Sequence, residues 1–358
     1  MKFVVNNHNI FLIVAVCFFA STLFVYLVGK IATYFGLVDI QVGKGKVSRK
    51  KPIPTLCGIA IFLSFLLGYM LFGPNNNLML SILISSFLVL LLGIFDDISK
   101  TRENCYIKPI YRFVIHVIIA AIIVFYGDLE LKSASMFGFN LNFGIFAPLV
   151  SMFIIVGAIN AINLIDGIDG LSSGIASIYF LTIATIGFIL NKFGGLDIIL
   201  SLIMLGSCLG YLVHNFPPAK ALMGDTGSTF IGLMIAVIIL LGFKTLTLTS
   251  LVVPLFILAI PIFDTLFAII RRKLKHKSVG EGDSKHFHHQ ILKLTKSKTK
   301  TILIIYGINI IFSCISILYT LNRTKEVIVS YIIVVFAVIW LILKTDIIFD
   351  KKEEESKK

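Results

Sequence analysis

The sequence predicts an all-α fold: one polytopic integral membrane bundle of about eleven transmembrane helices, with a kinked or broken ninth helix. The N-terminus is expected outside and the C-terminus in the cytoplasm. Three observations carry this. Of 358 residues, 57% are apolar and only 14% are charged, where a soluble globule carries about 25% charge. The apolar residues are gathered into long runs, enough for roughly ten spans of about 20 residues. The basic residues are then divided unequally between alternate loops. A disordered or collagen-like chain is excluded by the same composition.

The first run, Ile10–Val28, has no clear small-residue cleavage site after it, so it is expected to be a retained span and not a signal peptide. The next seven are Thr55–Phe72, Leu78–Phe95, Ile110–Tyr126, Ile145–Ile162, Leu171–Leu190, Leu196–Val213 and a short eighth, Thr229–Leu241. The ninth, Leu248–Ile270, is long and contains Pro254 and Pro261, each of which removes a helical hydrogen bond and calls for a kink or break. Ile302–Thr320 and Val327–Leu343 complete the set. A single domain over 1–350 and a disordered charged tail, 351–358, follow from the absence of any long polar insert.

Threading these spans puts 26 of the 32 Lys and Arg in one set of loops and 6 in the other. The rich set is assigned to the cytoplasm. The net charge of +13 is thereby a topology signal and no sign of nucleic acid. The five cysteines are odd in number and widely spaced, with no C-x-x-C pair, so neither a disulfide framework nor a zinc site is indicated.

Acids are the informative residues, because charge beside apolar spans is costly unless solvated, paired or metal-bound. Asp96 and Asp97 end the third span. Two adjacent carboxylates repel unless a cation compensates, and Mg²⁺ with phosphate suits such a pair. Asn163, Asp166 and Asp169 recur every third residue in a turn that also holds Gly167 and Gly170 but no Lys or Arg. A ligand's hydroxyls or base edges are favoured over a plain connecting turn. Asp225 stands between Gly224 and Gly227, directly before the eighth span, in a segment that also contains Asn215. Free N–H groups at that helix start are expected to hold a phosphate oxygen, with Thr226 or Ser228 as the N-cap.

His286, His288 and His289 lie in the most basic loop with no acid or cysteine at zinc spacing, so contact with an anion is favoured over structural zinc. Ser48–Thr55, with Lys51 and Thr55, is either a topology signal or a diphosphate contact. Asp264 lies within the apolar ninth span and requires a buried partner or a water-filled cleft. All these clusters fall on one face of the membrane, where a transporter would place charge nearer the midplane.

At these residues the chain resembles the polyprenyl-phosphate N-acetylhexosamine-1-phosphate transferases, the superfamily of MraY, WecA and TagO. The resemblance rests on Lys51-Pro52-Ile53-Pro54-Thr55, Phe95-Asp96-Asp97, Asn163 through Leu171, Met223 through Ser228, and His286-Phe287-His288-His289, in the family's order. Asp264 in Pro261–Leu266 and the H-x-H-H spacing are similar to the WecA/TagO branch and unlike the peptidoglycan branch that accepts UDP-MurNAc-pentapeptide. Cys57 departs from the family's usual glycine.

The resemblance implies transfer of a sugar 1-phosphate, most simply GlcNAc-1-phosphate, from a UDP-N-acetylhexosamine to undecaprenyl phosphate, releasing UMP. It implies Mg²⁺, with Mn²⁺ as a substitute, the inner membrane of a bacterium, and a site open to the cytoplasm; a homodimer is compatible with it. By residue it implies that Asp225 and Asp97 hold the metal and that Asp96 and Asp97 form the acidic pair at the reaction centre, Asp96 orienting or deprotonating the acceptor. His288 and His289 act on phosphate or sugar. Lys51, Thr55, Asn163, Asp166, Asp169, Asn215, Asp264 and His286 contact substrate. Direct attack by the lipid phosphate and a covalent aspartyl intermediate both fit these residues. A lipid or nucleotide-sugar transporter is the rival of another class.

Overall fold

The computed structural model describes residues 10–39, 52–102, 107–136, 139–192, 194–248, 250–274 and 286–321. Lys51, the eleventh expected span and the charged tail lie outside them. The described residues belong to two compact units, Met1–Leu251 and Val252–Lys358.

The first unit holds α1 (Ile10–Tyr34), α2 (Gly58–Phe72), α3 (Asn77–Arg102), α4 (Pro109–Ala121), α5 (Ala147–Ile165), α6 (Leu171–Ile189), α7 (Leu196–Asn215) and α8 (Gly224–Lys244). Two short antiparallel hairpins are the departure from an all-helical chain: β1 (Val38–Asp39) with β2 (Ile53–Pro54), and β3 (Ser133–Met136) with β4 (Phe139–Asn142). The second unit holds α9 (Val252–Ile257), α10 (Ala259–Leu274), α11 (Phe287–Thr295) and α12 (Lys298–Thr320). Among the described residues, eight helical stretches are long and apolar enough to cross a membrane.

In the first unit α8 is the axis. Every residue from Thr226 to Phe243 is buried, packed by α2, α3, α5, α6 and α7. Peripheral α1 packs on α7 and α2 and turns Phe11, Phe19, Leu23 and Ile31 outward, as a lipid-facing surface requires. Between apolar helices in lipid the driving force is close packing and hydrogen bonding, and both are present. A Cβ on Gly93 of α3 would come within 2.5 Å of the Thr226 Cα, and one on Gly58 of α2 would overlap the Gly227 backbone. Two helices, α2 and α3, therefore meet the start of α8 at backbone distance. Ser64 donates to the Cys17 carbonyl and pairs with Ser207 at 2.8 Å, joining α1, α2 and α7 through satisfied polar groups.

Within the first unit the described loops sort into two ends, as the alternation of spans predicts. At one end Leu222 N–H donates to the Pro54 carbonyl and Cys57 N–H to the Leu222 carbonyl, both at 3.0 Å, while Ile94 and Ile98 of α3 pack on Ala32, Leu37 and Leu56. At the other end Lys244 reaches the Asp128 carbonyl at 2.6 Å and Leu251 N–H reaches the Ser135 carbonyl at 2.9 Å.

Two boundaries differ from the apolar runs, and the ninth span breaks as its prolines require. Helix α3 continues past Phe95 to Arg102, because the Asp96–Lys100 pair, four residues apart, sustains the helix where apolarity stops. Helix α8 begins at Gly224 and runs 21 residues, so the expected short eighth span has ordinary length; Ser228 and Thr229 hydroxyls bond back to the Gly224 and Asp225 carbonyls. The ninth span is broken at Leu258 into α9 and α10, between Pro254 and Pro261.

Gly58→Val should lower stability by about 1–3 kcal/mol through overpacking against Gly227, read as a lower thermal midpoint in detergent. Gly157→Ala, where nothing lies within 4 Å, should leave it unchanged or slightly raised. A Gly58→Val protein as stable as wild type would contradict this packing.

Candidate active site

The site is organised by the start of α8. Gly224 has φ of +66°, and a Cβ there would fall on the Asp97 carboxylate, so glycine is required for both backbone shape and space. Asp97, from α3, accepts from Asp225 N–H at 2.8 Å, Thr226 N–H at 3.0 Å and the Thr226 hydroxyl at 2.6 Å. It is an N-cap supplied by another helix. The expectation that these N–H groups are free for a phosphate is thereby corrected: Asp97 occupies them. Thr226 assists the cap as a donor, and Ser228 bonds backward to the helix.

The clasp sets Asp225 beside Asp96. Lys100 Nζ lies 2.9 Å from Asp96 Oδ2 and 2.7 Å from Asp225 Oδ2. Arg112, from the first turn of α4, lies 3.0 Å and 3.4 Å from the same two oxygens. Two carboxylates and two cations thus form one cluster, with Asp96 nearly sealed and Lys100 open at 44% exposure. The two positive charges offset the repulsion of the acids and the cost of burying Asp96. Asp96 Oδ1 is buried without a hydrogen-bond partner, leaving unmet acceptor capacity inside the cluster.

Asn163, near the end of α5, donates to Ser228 Oγ at 2.9 Å and is in hydrogen-bonding reach of Asp225. This joins the 163–170 turn to the same helix start. Asp166 accepts from the Ser172 hydroxyl at 2.6 Å. Desolvation pushes its pKa up to about 7; the Ser172 bond opposes the rise, and the charges of Asp225, Asp97 and Asp169 add to it. Near neutral pH this carboxyl can therefore donate as well as accept. Asp169 is buried in the same turn. Asn215 accepts from Gly170 N–H at 2.7 Å and donates to the Ala221 carbonyl at 2.8 Å, so it braces the turn against the 216–223 loop. Thr55 donates to the Leu37 carbonyl at 3.1 Å, fixing the β1–β2 end.

The second unit has its own polar cluster. Asp264 of α10 is 2% exposed and finds the buried partner its position demands. Its Oδ2 lies 2.9 Å from His286 Nδ1, and its Oδ1 accepts from Phe287 N–H at 2.7 Å, capping α11. The rings of His286 and His288 are parallel, with centroids 5.5 Å apart, and His289 lies 4.3 Å from His288. Burial, reinforced by the neighbouring His289, pushes the His288 pKa down to about 3, so this ring is neutral at physiological pH. Its Nε2 has no hydrogen-bond partner.

Among the described residues, no group of three His, Cys, Asp or Glu side chains forms a ready metal cage. Arg112 is the site residue that sequence reasoning passed over. It entered only as a count of charge, since nothing local links it to Asp96 sixteen residues earlier. Lys100 carried a usable signal in its four-residue spacing from Asp96.

Residues 79–243 match glycosyl transferase family 4. The chain is 37% identical over 337 residues to a Bacillus subtilis (strain 168) protein described as a probable undecaprenyl-phosphate N-acetylglucosaminyl 1-phosphate transferase, covering 92% of this chain and 87% of the relative. A Haemophilus influenzae undecaprenyl-phosphate alpha-N-acetylglucosaminyl 1-phosphate transferase is 30% identical over 324 residues, 87% of each chain. A Mycobacterium tuberculosis decaprenyl-phosphate N-acetylglucosaminephosphotransferase is 28% identical over 207 residues, 52% of this chain and 51% of its own.

The raised Asp166 pKa has a signed consequence. From about pH 4 to pH 7 the unfolded chain releases this proton while the folded chain retains it. Asp166 therefore makes the folded state lose stability as pH rises through that window. Asp166→Asn should flatten this part of the profile, so that its thermal midpoint gains on wild type between pH 4.5 and 7.5. Parallel profiles for the two proteins would contradict the assignment.

Proposed function

Because the chain belongs to glycosyl transferase family 4, among the polyprenyl-phosphate N-acetylhexosamine-1-phosphate transferases, we propose that it transfers GlcNAc-1-phosphate from UDP-GlcNAc to undecaprenyl phosphate and releases UMP. The structural observation that supports this reading is the cluster of Asp96, Asp225, Lys100 and Arg112 at one end of a bundle of membrane-spanning helices. It offers charge of both signs where a water-soluble diphosphate and a lipid phosphate can meet. In the alternation of spans read from the sequence, the Lys- and Arg-rich loops fall on the side of Asp96 and Asp225, so the site is assigned to the cytoplasmic face of the bacterial cell membrane.

In the proposed reaction an oxygen of the lipid phosphate attacks the β-phosphorus of the donor. The bond from that phosphorus to the bridging oxygen breaks, and UMP leaves with the electron pair. A phosphate monoester with a second pKa near 6 is mostly dianionic at pH 7 and needs little help from a base. Asp96 Oδ1 is available to an acceptor that arrives singly protonated. The main obstacle is repulsion between the two anions. Arg112 offers a planar fork matched to phosphate, and Lys100 offers a mobile point charge. Both are held at the cluster by Asp96 and Asp225 and can stabilise charge on the transferring group.

The donor set fits Mg²⁺, which takes one or two carboxylates plus substrate phosphates and needs no full protein cage. Asp225 would hold it; the expectation that Asp97 is the second ligand is corrected, because both its oxygens accept hydrogen bonds from the start of α8. Asp97 instead supports Asp225 from behind. The ion would supply Lewis-acid neutralisation of diphosphate charge. Asn163, Asp166 and Asp169 are assigned to the nucleotide-sugar side, Asn215 bracing their turn. His286, His288 and His289, ordered by Asp264, are assigned to substrate phosphate or sugar.

Purified full-length protein in detergent with undecaprenyl phosphate, Mg²⁺ and a panel of UDP-sugars should form UMP, most rapidly with UDP-GlcNAc. Asp225→Asn should lower turnover by about 10²–10³-fold and Arg112→Ala by at least about tenfold, with thermal midpoints showing folded proteins. Wild-type UMP release from Asp225→Asn would remove Asp225 from the reaction centre. Substrate movement across vesicles without UMP would favour a transporter.

A further inference from the structure

Helix α4 buries one titratable side chain that the proposed reaction leaves unused. His116 is 4% exposed, and neither ring nitrogen has a hydrogen-bond partner. It stands one helical turn beyond Arg112, and residues four apart share a helix face. Its ring lies within electrostatic reach of both Arg112 and Asp225. An imidazole always carries at least one N–H donor, and a buried donor without an acceptor is costly. Helix α4 therefore brings an unmet donor to the surroundings of the Arg112 guanidinium, which points to a ligand that supplies an acceptor.

Depth decides which ligand. Helix α4 begins at Pro109 beside the site and runs toward the opposite end of the bundle. His116 thus lies about 6 Å further into the membrane than Arg112. A soluble nucleotide sugar approaches from the aqueous side. A lipid phosphate is anchored from the bilayer side by its chain. The outer surface of α4 suits such a chain, since Ile110, Phe113, Val114 and Ile118 are each about half-exposed.

Resting on the transferase reading, we propose that His116 binds the acceptor: it donates a ring N–H to a phosphate oxygen of the polyprenyl phosphate, beneath the grip of Arg112. His116 is then a determinant of lipid-phosphate affinity with no part in holding the nucleotide sugar.

The test uses the full-length protein in detergent, with undecaprenyl phosphate and UDP-GlcNAc as probes. His116→Leu removes both ring nitrogens, and His116→Gln restores a donor and an acceptor at similar reach. His116→Leu should raise the KM for undecaprenyl phosphate about tenfold while the KM for UDP-GlcNAc stays within about twofold; His116→Gln should recover most of the loss. A second readout needs no turnover. Undecaprenyl phosphate alone should raise the thermal midpoint of wild type, and that rise should shrink in His116→Leu and return in His116→Gln.

If no UDP-sugar yields UMP yet the lipid-induced rise still depends on His116, the transfer reading falls and this assignment stands. An unchanged acceptor KM with an unchanged lipid-induced rise overturns the assignment. So does an equal increase in both KM values, the mark of a merely structural role. Should His116→Leu fail to fold, His116→Asn, polar but shorter, should show the same acceptor-selective KM increase, and wild-type kinetics from it would overturn the proposal.

Discussion

The Asp97 carboxylate against the first turn of α8 is the contact on which the site depends. Its two oxygens take three donors, the N–H groups of Asp225 and Thr226 and the Thr226 hydroxyl. A helix start buried at a membrane boundary has N–H groups that water cannot reach freely, and leaving them unmet is expensive. A carboxylate there is also favoured by the helix dipole. One interaction thus solves a structural problem of α8 and fixes the distance from α3 to α8. The glycines follow from it: Gly224 leaves space for the carboxylate, and Gly93 and Gly58 let α3 and α2 reach the α8 backbone.

Function follows from what this contact leaves over. With Asp97 committed, Asp96 and Asp225 are brought together and would repel. The chain answers with Lys100 and Arg112, each touching both acids. Such a cluster can exchange partners. Incoming phosphates can take the cations, and in the proposed reaction a divalent ion would offset the carboxylates. A preassembled set of this kind stabilises a phosphoryl group in flight because its dipoles and charges are already in place.

Much of this was legible in the residues. Long apolar runs gave the spans, and the Lys and Arg asymmetry sorted their loops into two sets; within the first unit the contacts sort those loops into the same two ends. The cost of an acid in an apolar run marked Asp264 as needing a partner, which is His286. Apolarity, however, reports depth and not helix continuity. It ended α3 at Phe95, ahead of a charged turn held by Asp96 and Lys100, and it started α8 late, past a polar turn capped from another helix. The role of Asp97 was illegible for a related reason. Its partners lie 128 and 129 residues away, and a pair of adjacent aspartates looks symmetric in sequence although one is a cap and the other half of an ion cluster. Arg112 was hidden in the same way.

The most direct measurement is a double-mutant cycle across the clasp, with Asp97→Asn, Thr226→Val and the double variant unfolded by SDS from mixed micelles. If Asp97 holds the start of α8 as described, the losses should be non-additive, with a coupling of about 1–2 kcal/mol. Additive losses, within about 0.5 kcal/mol, would show that the two residues do not act on each other, and the positioning of Asp225 by Asp97 would fall with them.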